Sequence, residues 1–251
     1  MSDIINVPLH VELVGYTTSV YDAIAKVYEA GGGVVRTRDQ EDNGKPLMEL
    51  AGRGCYESYK RTSEKTDSHE GYLGNILKQN HGSVLEHSVF SFYIEGISRA
   101  ESHEMVRHRH FSFSQQSQRY VAAKKPYRVA IHPTLMKEYG EDVVKQWVEP
   151  SFRLAESTYN NLRNRGLDKK PASEAARALL PNAAETHMVM TGNLRSWLEF
   201  VSKRDHEAAD AGIRKVAQKV YEILQEQMPE VFSDEARAIW DTDYAQGKAR
   251  A

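Results

Sequence analysis

Leu9, Val11 and Leu13 alternate with His10 and Glu12, and this period of two predicts a strand. The period then lengthens, with Val20, Ile24 and Val27 recurring at helical spacing up to Gly31-Gly32-Gly33. That glycine run follows a helix instead of opening one and has neither dinucleotide-fold nor P-loop spacing, so it reads as a helix stop with a loop. Residues 34–46 are polar and read as loop, with a turn over 42–46. Helices are predicted over 47–59 and 67–79. Phe90, Phe92 and Ile94 alternate with Ser91, Tyr93 and Glu95, a strand that leads into a helix opened by a Ser98/Glu101 capping box. This helix is expected to end near Arg109, with Glu104, Arg107 and His108 on one face.

Residues 115–120 are expected to run extended, so that Gln115, Ser117 and Arg119 point one way and Gln116, Gln118 and Tyr120 the other. A short strand is predicted over 128–131. Helix formers fill 134–166 with an interruption at Pro150, and Pro171 opens a helix that Pro181 ends. Met188 and Met190 flank Val189 in a strand. The next helix, 193–204, carries Asn193, Trp197, Phe200 and Arg204 on one face. Ile213, Val216, Val220, Ile223 and Leu224 define the apolar face of a last long helix, and 236–251 reads as a charged, mobile tail. With no repeat and no linker, the pattern predicts one α+β domain over 1–251.

Composition narrows the function. A chain of 251 residues with 40% hydrophobic and 27% charged residues is an ordinary globule, and a net charge of −2 argues against a general nucleic-acid binder. No apolar run is long enough to cross a bilayer, the N-terminus lacks signal-peptide form, and the single cysteine, Cys55, fits a reducing cytoplasm. Residues 107–120 stand out: three arginines, two histidines and four hydroxyls, with no acid among them. A solvated surface usually mixes both signs of charge, whereas this stretch is suited to an anion that Arg forks can grip.

Arg107-His108-Arg109, seven residues, then Ser117, closed by Arg119-Tyr120, resembles the signature of the flavin-dependent thymidylate synthases, the ThyX family. His81-Gly82-Ser83-Val84-Leu85-Glu86-His87, Arg177-Ala178-Leu179-Leu180-Pro181, Asn193-x-Arg195 and Arg204 extend the likeness from about Ser83 to Ile213. The resemblance implies a ThyX-like fold, with a mixed or antiparallel sheet flanked by helices, in a homotetramer with shared active sites. It implies reductive methylation of dUMP to dTMP, with 5,10-methylenetetrahydrofolate as carbon donor, reduced FAD as hydride donor and NADPH re-reducing the flavin.

Carried over by position, Ser83, Arg107, His108, Arg109, Gln115, Asn193, Leu194, Arg195 and Glu199 would contact FAD. Glu104, Arg107, Gln115, Gln116, Ser117, Gln118, Arg119, Arg177 and Arg204 would contact dUMP. Arg204 and Ser117 are the catalytic candidates, Arg204 as stabiliser of charge on the uracil and Ser117 mainly as a hydrogen-bonding contact. This chain has Glu199 where relatives carry His or Asn, and Ser114-Gln115 where many read Asn-Glu; a neutral amide at 115 cannot be a base.

Two other readings compete. A metallohydrolase could draw imidazoles from His81, His87, His103, His108 and His110, although the charges of Arg107 and Arg109 would oppose a cation; the resemblance itself implies no metal. A non-catalytic nucleotide-binding oligomer would need only the arginine cluster. Cys55 is the sole thiol that could attack uracil, with Arg53 nearby; a cysteine at such a helical position is more often a small buried hydrophobe.

Overall fold

The computed structural model describes residues 3–34, 43–61, 63, 65–122 and 124–246. Strand β1 (Ile4–Asn6) precedes β2 (His10–Tyr16), the first alternating segment, and helix α1 (Tyr21–Ala30). At the end of α1 a Cβ on Gly31 would lie 2.3 Å from the Tyr59 ring, and Gly32 has φ +71°, so both positions require glycine. Helix α2 (Lys45–Cys55) starts inside the stretch expected to be a turn, because Pro46 suits a first helical turn. The rest of the expected loop, 35–42, lies outside the described residues. Helix α3 (His69–Lys78) and strand β3 (Val89–Ser98) follow.

Helix α4 (Arg99–Met105) opens with the capping box: Ser98 Oγ accepts from Glu101 N at 3.1 Å and Ser98 N donates to Glu101 Oε2 at 2.6 Å. It stops four residues before Arg109. Strands β4 (Ser112–Gln115) and β5 (Tyr127–Val129) and helices α5 (Pro133–Tyr139) and α6 (Glu141–Asn164) come next. The interruption expected at Pro150 does not occur. Proline costs a helix about 3 kcal/mol, but α6 buries Val144 before it and Phe152 and Ala155 after it, and Val144 and Phe152 each contribute about 1.5–3 kcal/mol.

Helix α7 (Lys169–Ala176) opens two residues before Pro171 and gives way to the short turn Arg177–Leu179 before Pro181, while strand β6 (Glu185–Asn193) and helices α8 (Leu194–Arg204) and α9 (Ala211–Gln227) follow the predicted pattern closely. The expected mobile tail is instead helical: α10 (Pro229–Phe232) leads to α11 (Asp234–Trp240) and α12 (Thr242–Ala245), and Arg237 is fully buried. Residues 247–251 lie outside the described residues.

Strands β2, β3, β6 and β4, in that order, form a four-stranded sheet, and β1 pairs in parallel with β5, Ile4 opposite Tyr127. The fold class is α+β, sheets flanked by helices. The chain divides into two compact units, to both of which β2, β3 and β6 contribute residues. The first comprises Met1–Glu12, Tyr93–Met190 and Ala211–Ile213. Its core gathers Ile4, Tyr127, Val129, Phe152 and Ala184, with Tyr127 stacked on Phe152 at 5.0 Å. The second comprises Leu13–Phe92, Thr191–Asp210 and Arg214–Ala251. Here Trp197 is fully buried, edge-on to Phe92 at 4.9 Å and to Phe200 at 5.7 Å. Its Nε1–H is satisfied by Phe90 O at 3.2 Å and Gly192 O at 3.1 Å, as a buried indole requires.

Candidate active site

In the first unit the early end of α4 leaves Arg107 and His108 in a turn, so the expected shared helix face with Glu104 does not form. Arg107 still reaches Glu104, at 3.8 Å, through an exposed pair. The His108 ring sits edge-on to Phe111 at 6.3 Å, while Arg109 and His110 are exposed. Strand β4 ends at Gln115, whose side chain donates to Thr186 Oγ1 at 3.2 Å, and Gln116 N donates to His187 O at 3.0 Å.

The chain then turns back on itself. Tyr120 N and Val121 N both donate to Ser117 O, at 3.2 and 3.0 Å, a closure that an extended strand cannot make. The two opposed rows expected over 115–120 are therefore absent. The turn carries Arg119 to α7, where its Nε donates to Glu174 Oε1 at 2.8 Å. It also puts Gln118 beside Gln116 on a 250 Å³ pocket with Lys124 and Arg128. On its other side Gln118 shares a 20 Å³ cavity with Arg177, Ser173 and Tyr159.

Arg177 is exposed in the short helical turn Arg177–Leu179. Burial, and after it the nearby Arg177 charge, holds Arg99 below the usual guanidinium range. Two arginines that repel one another are a ready receptor for an anion. Sequence reasoning passed over Arg99 as the first residue of a helix, and no periodicity pairs it with a residue 78 positions away.

In the second unit a 520 Å³ cavity is lined by Ser83 and Arg195 together with Cys55, Tyr56, His81 and His87. Ser83 is exposed in the helical turn Gly82–His87, and Arg195 Nη1 donates to Glu86 at 2.6 Å. The His81 ring stacks on Tyr56 at 6.1 Å. Cys55 is exposed on this wall, contrary to the expectation of a buried thiol. Arg53, the neighbour considered for that thiol, is only 2% exposed and holds the chain beyond it. Its Nε binds Glu49 at 2.6 Å, and its terminal nitrogens donate to the carbonyls of Ser58, Arg61 and Thr66 at 3.2, 3.0 and 3.0 Å.

Asn193 caps α8, its Oδ1 accepting from Ser196 N and Oγ, both at 2.9 Å. Leu194, expected to contact the flavin, is fully buried and its N–H donates to Ser88 O at 2.9 Å; it belongs to the core. Glu199 is exposed and pairs with Lys203. The face from Asn193 to Arg204 is apolar core at Trp197 and Phe200, with Arg204 half-buried at its end.

The histidines do not converge as a metal site needs. Among the described residues, the side chains close enough to share an ion are Glu95, Glu185 and His187, within 4.8 Å, and Arg128 already bridges the two carboxylates at 2.5 and 2.9 Å. The cavity of the second unit, by contrast, has a lining part apolar and part polar, with Arg195 as its charged member, and a volume large enough for part of an organic cofactor.

Arginine forks set among amides and hydroxyls are donors of the kind that grip phosphorylated ligands. The family model described as "Thymidylate synthase complementing protein" matches residues 38–230. The chain is 42% identical over 201 residues to a flavin-dependent thymidylate synthase of Mycobacterium tuberculosis (strain ATCC 25618 / H37Rv), which covers 77% of this chain and 80% of that protein. It is also 42% identical over 204 residues to the enzyme of the same name from Mycobacterium avium (strain 104), with the same coverage. The chain belongs to the flavin-dependent thymidylate synthase family, and its activity is the conversion of dUMP to dTMP with a flavin.

Proposed function

We propose that the chain, acting as one synthase domain and assembled as a homotetramer with shared active sites, takes its carbon from 5,10-methylenetetrahydrofolate and its reducing power from NADPH. The methylene replaces the proton on C5 of dUMP, a hydride completes the methyl group, and tetrahydrofolate leaves. Bound FAD, once reduced, supplies that hydride. The observation that carries this reading is the 42% identity over 201 residues to flavin-dependent thymidylate synthases; the turn at 117–121, which sets Gln118 beside Gln116 on one pocket and beside Arg177 on a second, supplies a place for the nucleotide.

Arg119 and Arg177 hold the dUMP phosphate, with Arg99 adding charge beside Arg177. Gln115, Gln116, Ser117, Gln118 and Glu104 orient the nucleoside. Arg204 meets the negative charge that develops on the uracil oxygen when C5 becomes nucleophilic. Ser83, Asn193 and Arg195, with Arg107, His108 and Arg109, hold FAD. Glu199, paired with Lys203 on the exposed side of α8, stands at the position that would face the flavin.

The test is the absorption spectrum of the purified protein titrated with FAD and then with dUMP. A flavin spectrum that shifts on adding dUMP is expected, followed by dTMP on supplying the folate and NADPH. A protein that neither takes up FAD nor forms dTMP would leave a non-catalytic nucleotide-binding role.

A further inference from the structure

Arg204 ends α8, and the residue after it is anchored in a way its own function does not require. Asp205 is fully buried, with its N–H bonded to Val201 O at 2.8 Å and backbone angles φ −87°, ψ 55°. Its Oδ2 accepts from Arg237 Nη1 at 2.6 Å and its Oδ1 from Gln218 Nε2 at 3.0 Å, while its carbonyl accepts from Arg237 Nη2 at 3.5 Å. Arg237 is itself fully buried. Its Nε donates to Asp241 at 3.1 Å, and its guanidinium lies over the rings of Tyr221 at 4.7 Å and Trp240 at 5.8 Å.

A buried ion pair is weak evidence of stabilisation, since apolar residues of similar volume often pack there without loss. What this pair achieves is geometric. One planar fork grips both the side chain and the carbonyl of Asp205, Gln218 of α9 grips the other carboxylate oxygen, and two aromatic faces confine the fork. The backbone one residue after Arg204 is thereby fixed to α9 and α11. Helix ends otherwise fray, and a loose last turn would let the Arg204 side chain wander from the uracil. The buried Asp205 carboxylate is also neutralised by Arg237, so that it does not stand as an unpaired anion beside Arg204.

We infer that Arg237, through Asp205, is a positioning residue for the Arg204 guanidinium. The inference rests on the catalytic reading of Arg204. In the full chain loaded with FAD, Arg237→Lys keeps the charge but loses the two-pronged grip. The single-turnover rate of dTMP formation at saturating dUMP should fall about ten- to a hundredfold, with FAD affinity unchanged and dUMP affinity little changed. Placed on Arg204→Ala, the same substitution should cost almost nothing further, because its effect passes through Arg204.

Melting temperature and FAD titration report folding separately. Should Arg237→Lys not fold, Gln218→Met, which removes only the second grip on Asp205, enters the same cycle with the same expectation at smaller size. A full-rate Arg237→Lys, or a loss that adds in full to that of Arg204→Ala, overturns the inference and leaves Arg237 a stability residue. If Arg204→Ala alone retains the full rate, the fault lies with the reading of Arg204, not with the anchor.

Discussion

Arg119 is held by Glu174: its Nε donates to Glu174 Oε1 at 2.8 Å, across 55 positions of sequence. The arginine proposed for the substrate phosphate is thus in the grip of a carboxylate from α7. Both side chains are partly exposed, 42% and 37%, so the pair is worth no more than about 1 kcal/mol. A phosphate dianion, which offers more charge and more acceptors, should displace it. Glu174→Gln is expected to tighten dUMP binding by up to about fivefold, and Arg119→Ala to weaken it about ten- to a hundredfold. Isothermal titration with dUMP reads both; a weaker Glu174→Gln complex would mean that Glu174 positions Arg119 for the phosphate and does not compete for it.

The flavin side is tested by Arg107→Ala. Loss of one charge-assisted contact costs about 1.5–3 kcal/mol, or roughly ten- to a hundredfold in FAD affinity. Arg177→Ala should leave FAD uptake untouched and weaken dUMP. Equal FAD affinity for Arg107→Ala and wild type would remove Arg107 from the flavin site.

Cys55 shares its cavity wall with Ser83 and Arg195 and is exposed. Iodoacetamide should therefore alkylate it in the FAD-free protein and block flavin uptake, while prior loading with FAD should protect it, as read by mass spectrometry. Cys55→Ala should bind FAD and keep most of its dTMP-forming activity. Loss of turnover in that variant, still folded and still binding both ligands, would make the thiol a nucleophile.

Arg204→Ala should slow single-turnover dTMP formation from prereduced enzyme more than it weakens dUMP binding, because its partner gains charge only as the reaction proceeds. Arg204→Lys keeps the charge without the planar fork and should rescue only in part. A raised dUMP dissociation constant with an intact saturated rate would reduce Arg204 to a clamp.

Glu230 offers a prediction on pH. Its side chain is 4% exposed, and burial outweighs the Lys45 ammonium 3.1 Å away, so its carboxyl titrates above the ordinary range. The folded state holds this proton more tightly than the unfolded chain does. Stability from this group is therefore greatest below the ordinary carboxylate pKa and declines as pH rises through the folded value. Glu230→Gln removes that decline, and Lys45 keeps Glu70 as partner at 3.3 Å. Melting temperatures between about pH 4 and 7 should fall less for the variant than for wild type; parallel curves would show that Glu230 does not titrate there.

The sequence by itself determined what depends on neighbours a few residues apart. The Ser98/Glu101 capping box, the alternation of Phe90, Phe92 and Ile94 and the apolar face of α9 all appear where their spacing placed them. The same holds for the chemistry of residues 107–120, because a run of arginines, amides and hydroxyls without acids is a local fact.

Tertiary structure decided the partners, the ends of elements and the exposure of single residues. Burial of Phe152 and Ala155 carries α6 through Pro150, and the hydrogen bonds of Ser117 O close a turn where periodicity suggested a strand. Arg119 pairs with Glu174, and Arg237 with Asp205 across 32 positions, which turns an apparently charged tail into the buried anchor of α8. The reason is physical. A charged side chain carries no mark of whether it will meet solvent or a carboxylate, and only the packing of distant segments excludes the water that would otherwise have solvated it.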